Sequence, residues 1–252
     1  MGLSVVICTK NEERNIARCL KSVHSIAEEI IVVDSNSTDK TEEICKTFSK
    51  VRFYQSDWKG FSKTKNYANS LATQDYILSL DADEELSIEC QHDIEKKKSS
   101  LAGVYTINRM TNYCGSWIKH SGWFPDRHIR LFPRKGSEWV GDFVHETLKY
   151  DSELIIQDLK GIVPHYSYYT LDEHWTRINT YSNLGAEKYL DKSSFRLLLS
   201  MWLNPGVRFF RYYFLKLGFL DGVNGFIIAS LSSSAVFLKY AKAYKLKQKN
   251  IE

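Results

Sequence analysis

Four short aliphatic and β-branched runs, Leu3–Cys8, Glu29–Asp34, Val51–Gln55 and Tyr76–Leu80, alternate with stretches whose apolar residues recur at helical spacing. That order constrains the fold more than any other feature. Strands separated by helices are joined by right-handed crossovers into a mainly parallel sheet. The spacing predicts the intervening helices over Asn11–Ser25, Thr41–Ser49 and Ser62–Leu71. Ligands of such sheets gather beyond the carboxyl ends of the strands. Polar or acidic residues stand at all four ends: Thr9-Lys10-Asn11-Glu12-Glu13, Asp34, Asp57 and Asp81-Ala82-Asp83.

The pattern changes after Gly103. Val104–Asn108 and Ile129–Pro133 read as strands of a mixed or antiparallel extension, joined by a loop rich in Trp, Gly and His, and Gly161–Val163 is strand-like. Beyond Thr170 the spacing is helical over Leu171–Leu190, Phe195–Phe214 and Leu220–Lys245. The expected fold class is therefore α/β, a mixed sheet flanked by helices, with a helical C-terminal extension. Residues 1–100 and 101–168 would form the two halves of the sheet domain and 169–252 the extension. The chain has 252 residues, enough for one sizeable core or one domain with an appended subdomain. A net charge of +4 spread over scattered basic residues gives no reason to expect a nucleic-acid partner. Five scattered cysteines without a CxxC pair suit a reducing compartment. The N-terminus runs straight into a strand with no basic leader, so a cytoplasmic location is expected.

The chemistry concentrates in Leu80-Asp81-Ala82-Asp83-Glu84-Glu85. On extended backbone Asp81 and Asp83 would point to one side and Ala82 to the other. Two carboxylates at a strand end suit Mg²⁺ or Mn²⁺, which prefer oxygen ligands and take substrate phosphates in their remaining positions. Asp34, after Ile30-Ile31-Val32-Val33, can accept a hydrogen bond from a base imide or a ribose hydroxyl. Its structural alternative is to cap the next helix, a role open equally to Ser37 or Thr38. Lys63, Lys65 and Asn66 on the helix after Gly60 would lie close to a diphosphate.

In that order and spacing, Val5–Glu13, Ile31–Asp39, Lys63–Asn66 and Leu78–Glu85 resemble the family 2 nucleotide-sugar glycosyltransferases of GT-A fold. The resemblance covers about the first hundred residues. It implies a donor site with Thr9, Asn11 and Glu13 beside the nucleotide and Asp34 on a uracil. Lys63 or Lys65 would lie near the diphosphate, and Asp81 with Asp83 at ribose and metal. The family often carries Arg-Asn where this chain has Lys65-Asn66; lysine keeps the charge but loses the planar fork. An inverting displacement also implies an acceptor-side carboxylate that takes the hydroxyl proton. The expected base is Glu146 in Trp139–Glu146, with Asp142 second and His145 as a further metal or diphosphate contact. Arg127 or Arg130 would meet the acceptor or the diphosphate. A nucleotidyltransferase is the alternative enzyme, although a glycine-rich loop is missing after the first strand. A non-catalytic, membrane-docked scaffold is the alternative of another class.

Toward the C-terminus Arg208, Arg211 and Lys216 alternate with Phe209, Phe210, Tyr212, Tyr213 and Phe214, and lysines follow an apolar stretch. The uncharged run from Gly222 to Leu238 falls short of the ~20 residues of a spanning helix, so a single transmembrane helix is not expected. Interfacial docking at an anionic membrane and packing against the core account for it equally well. The Gly218–Gly222 tail resembles that of bacterial lipopolysaccharide-core glycosyltransferases, which implies a lipid-linked saccharide acceptor and a peripheral place at the inner face of the cytoplasmic membrane.

Overall fold

The computed structural model describes residues 1–141 and 146–249. Its first half follows the predicted alternation: β1 (Leu3–Thr9), α1 (Ile16–Val23), β2 (Glu29–Asp34), α2 (Thr41–Lys46), β3 (Val51–Gln55), α3 (Phe61–Leu71) and β4 (Tyr76–Asp81). There follow α4 (Ile88–Lys97), β5 (Val104–Tyr113), β6 (Ser116–Trp117), β7 (Asp126–Pro133), β8 (Glu138–Val140), β9 (Thr147–Lys149) and β10 (Ile156–Tyr168). Three helices close the chain: α5 (Leu171–Glu187), α6 (Ser194–Phe210) and α7 (Gly222–Lys249).

The main sheet has the order β10-β5-β7-β4-β1-β2-β3, with β6 paired to β5, and β8 with β9 form a separate ribbon. Strands β1 to β4 pair in parallel and β7 joins β4 antiparallel, so the sheet is mixed as expected. The central strands are apolar along most of their length because both faces are covered. Ile30, Ile31, Val32 and Val33 are all fully buried, and each such side chain stabilises the fold by about 1.5–3 kcal/mol.

By internal packing the chain forms two compact units. The first comprises residues 1–109 and 126–166, and the second residues 110–125 and 167–252. In the first, α1 begins five residues later than its spacing predicts. Asn11 takes a left-handed φ of 54°, and the backbone N–H groups of Asn11, Glu12 and Glu13 donate to Ser37 Oγ, Thr41 Oγ1 and Asp39 Oδ2 at 2.7, 2.8 and 3.0 Å. Side chains of the β2–α2 loop thus satisfy donors that a longer helix would have used.

In the second unit α7 packs on α5 and α6 around Ala186, Leu197, Val236, Tyr240 and Ala243. A π-helical turn over Arg211–Leu215 and a 3₁₀ turn over Gly218–Asp221 lead from α6 into α7. Where one continuous helix was predicted to Phe214, α6 ends at Phe210 and the π turn follows. The Asp221 carboxylate accepts from the backbone N–H of Lys119 and His120 and from Ser121 Oγ, tying the 116–125 loop to the turn. A Cβ on Gly225 would lie 1.8 Å from the Gly218 carbonyl oxygen. Gly225→Ala is therefore expected to destabilise this unit by at least about 2 kcal/mol, a drop measurable in the thermal unfolding of the full chain.

This unit has two long apolar features. One face of α6 carries an exposed apolar row, Phe195, Leu199, Trp202, Leu203, Val207 and Phe210, with Phe195 74% and Trp202 79% exposed. The Gly222–Leu238 run lies within a longer helical stretch, Gly218–Gln248, which by length and composition is long and apolar enough to cross a membrane. Packing of its buried residues commits one face of that helix to its neighbours.

Candidate active site

Strand register puts the expected site residues along one edge of the sheet. Thr9 pairs with Asp34 and Cys8 with Asp81, so the ends of β1, β2 and β4 are level. Asp81 closes β4, and the backbone then turns instead of remaining extended, with Glu84 N–H donating to the Asp81 carbonyl at 3.0 Å. The side-by-side projection expected from strand alternation therefore does not hold. The turn is clasped by β10 through Tyr166 N–H to Asp83 O at 2.9 Å and Glu85 N–H to Pro164 O at 3.0 Å.

This clasp sends Asp81 and Asp83 to different partners. Asp81 lies 3.5 Å from Lys65 Nζ and accepts from Arg130 Nη2 at 3.1 Å. Burial alone would lift its carboxyl, but Lys65 and then Arg130 outweigh that and hold it far below the ordinary carboxylate range. Lys65 is buried, and its ammonium also lies 3.1 Å from Glu146 Oε1 and 4.8 Å from the centre of the Trp139 ring. Burial would make that ammonium easier to deprotonate; Asp81 and Glu146 reverse the effect and raise its pKa.

Arg130 reaches Asp81 through a β-bulge. Tyr105 pairs with Leu131 but Thr106 with Ile129, which leaves Arg130 as the extra residue of β7, and a bulge re-aims the side chain it carries. Its guanidinium also binds Glu84, a fully buried carboxylate that accepts from Asp81 N–H at 3.0 Å and lies 3.6 Å from Arg109. Arg109 in turn holds Asp126 at 2.8 Å.

Asp83 faces His165 of β10, whose Nε2 lies 3.1 Å from Oδ2. The ring's Nδ1 is buried without a partner among the described residues, so Asp83 anchors the imidazole at its Nε2 end. A carboxylate and an imidazole converging at a strand end are both ligands for a divalent cation. Among the described residues no group of three His, Cys, Asp or Glu side chains is arranged to hold a metal by itself. Two protein ligands fit a cation that a diphosphate and water also coordinate, the usual state of Mg²⁺ at phosphate sites, with Asp83 Oδ2 and His165 Nε2 exchanging their mutual hydrogen bond for the ion.

Residues 4–152, more than half of the chain, match the model of glycosyl transferase family 2. The chain belongs to that family. A glycosyltransferase of Rickettsia typhi, itself uncharacterized, is 31% identical over 264 residues, covering 98% of this chain and 88% of its own. The lipopolysaccharide core biosynthesis glycosyltransferase LpsC of Rhizobium meliloti is 27% identical, with 97% and 93% covered. Among solved structures, S. aureus TarS in complex with UDP-GlcNAc resembles this glycosyltransferase with a TM-score of 0.48 at 16% identity, covering 100% of this chain and 92% of that one.

The other residues expected from the sequence divide clearly. Asp34 is fully buried and accepts from the Ser37 backbone N–H at 2.7 Å and from the Ser37 hydroxyl, which closes a turn in the β2–α2 loop. It does not cap α2, whose first N–H, that of Thr41, donates to Asp39 at 3.0 Å. Asn11 Oδ1 accepts from Thr38 N–H at 2.8 Å and Glu13 Oε2 from Lys40 N–H at 3.1 Å, which ties β1's loop to β2's. The Thr9 hydroxyl is buried without a partner among the described residues. Asn66 exchanges two 2.8 Å hydrogen bonds with the Trp139 backbone and so fixes β8.

Two expected residues stay outside the glycosyltransferase's cluster. Lys63 is exposed on the outer face of α3. Arg127 donates to Thr106 Oγ1 at 2.7 Å and pairs with the exposed Asp158. Asp142 and His145 lie outside the described residues. Glu84, Arg109, Asp126 and His165 are brought in although nothing in the sequence assigned them a role. Only Glu84 had a signal, its place in the acidic run, and nothing there separated it from a solvated neighbour.

Proposed function

We propose that this family 2 glycosyltransferase moves a hexose from a UDP-sugar to a lipid-linked or lipopolysaccharide-core saccharide, with inversion and with Mg²⁺ or Mn²⁺. The observation that carries the reading is the convergence of Lys65, Asp81, Arg130 and Glu146 at the end of β4, beside the Asp83–His165 pair. Asp34, with Thr9, Asn11 and Glu13, lies at the nucleotide end. Each carboxylate oxygen of Asp34 has a second lone pair for a uracil imide. Lys65 and Arg130 offset the diphosphate charge. Asp83 and His165 would hold the cation, with His145 a further contact, and the cation would stabilise charge on the departing diphosphate. Glu146 takes the acceptor hydroxyl proton, and its bond to Lys65 holds it in position.

The acceptor class rests on the likeness to LpsC over nearly the whole chain. A peripheral place at the cytoplasmic membrane face rests on the apolar row of α6, since monomeric soluble proteins rarely expose so continuous an apolar surface. The lysines of α7 add attraction to anionic lipid.

The test is sugar transfer by the purified full-length chain with and without a chelator. Chelation is expected to slow turnover by about 100-fold or more, with recovery on adding Mn²⁺ or Mg²⁺, since cation stabilisation of a leaving diphosphate is worth several kcal/mol. Asp83→Ala should lose the response to added metal. A full rate in chelator would end the cation reading.

A further inference from the structure

The second unit contains an open cavity of about 270 Å³ formed by α5, α6, α7 and Tyr168. Arg177, Arg208 and Lys239 line it, with Tyr168, Tyr181 and His174. None of its lining residues is acidic, and among the described residues none of the three cations has a carboxylate within ion-pair distance. Aromatic faces and neutral oxygens position them instead. Arg177 donates to Ser167 Oγ at 2.8 Å and lies 4.7 Å from the centre of the Tyr168 ring. Arg208 donates to Tyr212 Oη at 2.7 Å. The Lys239 ammonium donates to Tyr189 Oη at 3.4 Å and lies 4.7 and 4.8 Å from the centres of the Tyr189 and Tyr240 rings. These contacts orient the cations and leave their charge uncompensated.

His174 adds a neutral imidazole. Tyr113 Oη lies 2.8 Å from its Nδ1, and burial, then Arg177, push the imidazole down to about 4. The neutral ring keeps one nitrogen for the tyrosine and adds no charge of its own to the cavity. A cavity with two guanidinium forks, an ammonium and two tyrosine faces matches a phosphate attached to a sugar-sized body. Its volume is near the lower end for small-molecule pockets, too small for an acyl chain as well.

We propose that this cavity is a second anion site, which binds a phosphate group carried by a saccharide or a lipid headgroup. It lies in a different unit from the donor-site residues and stands whether or not the donor assignment holds.

The experiment is calorimetric titration of the full-length chain with glucose 1-phosphate, in the presence of UDP and Mn²⁺, with glucose as the uncharged control. Binding is expected to weaken by about tenfold or more in Arg177→Gln/Arg208→Gln and in Lys239→Met, and to survive in Lys65→Met. The variant Arg177→Lys/Arg208→Lys should recover part of it, which separates loss of charge from loss of fold. A parallel arm floats the protein on vesicles of phosphatidylcholine with and without phosphatidic acid. If the sugar phosphate is not bound but the phosphatidic acid dependence is lost in the same variants, the phosphate comes from a lipid. Equal behaviour of parent and cavity variants in both arms, or loss of sugar-phosphate binding in Lys65→Met alone, overturns the proposal.

Discussion

Replacing Glu84 with alanine is expected to lower the unfolding free energy of the sheet unit by about 3–5 kcal/mol. The side chain is wholly buried, and its carboxylate holds Arg130, approaches Arg109 and accepts the Asp81 backbone N–H. Its removal leaves Arg130, only 4% exposed, with Asp81 as its remaining carboxylate partner, and leaves a backbone donor unsatisfied. Such a loss is a large share of the 5–15 kcal/mol typical of a domain. The measurements are the denaturant midpoint and amide exchange in β1 and β4; a shift below about 1 kcal/mol would mean that Arg130 finds its charge balance elsewhere. Acid should erode the same network. Lys65 and Arg130 depress the Asp81 carboxyl against its burial, and His128 with Arg109 bring Asp126 down to about 2. Groups depressed in the folded state stabilise it above the ordinary carboxylate pKa of about 3.9 and lose that contribution as pH falls below it. Stability should therefore decline on acidification below about pH 4, with no contribution from these two groups to any change between pH 6 and 8.

The parallel half of the sheet was legible because its information is local. Leu3–Cys8, Glu29–Asp34 and Val51–Gln55 are continuous apolar or β-branched runs between polar punctuation, and each was found within a residue of its limits. The edge carrying Thr9, Asp34 and Asp81 follows from strand direction alone. What failed depended on pairing between distant segments. The turn after Asp81 is set by Pro164 and Tyr166, some 80 residues on, so alternation gave the wrong projection for Asp83. Arg127 and Arg130 looked equivalent in sequence. A bulge defined only by the register against β5 sends Arg130 to Asp81, while Arg127 remains at the surface with Asp158. Glu84 was hidden for the opposite reason: a fully buried acid and its partly exposed neighbours Asp81, Asp83 and Glu85 read alike until the arginines that neutralise it are known.

Glu146→Gln is expected to lower kcat by about 10²–10⁴-fold while the KM for the sugar nucleotide changes little, the range typical of losing a general base. The amide keeps the shape and can still accept a hydrogen bond from Lys65, but it cannot take a proton from the acceptor hydroxyl. Lys65 also retains Asp81 at 3.5 Å, so the fold and the diphosphate contact should survive the change. Initial rates at saturating donor separate this from a structural role, because a residue that only supports Lys65 would raise KM when replaced and would be rescued by its isostere. Lys65→Met supplies the contrast. Removing a buried cation that lies between Asp81 and Glu146 should weaken donor binding as well as turnover. Arg127→Ala gives the baseline: its contacts are Thr106 and Asp158, and its rate should stay within about twofold of the parent, since surface substitutions away from special features rarely matter. If Glu146→Gln keeps its rate within about tenfold, the proton goes to another carboxylate, and Asp142→Asn becomes the decisive variant. The two outcomes assign the base to different carboxylates, and each predicts the other's variant to be nearly silent.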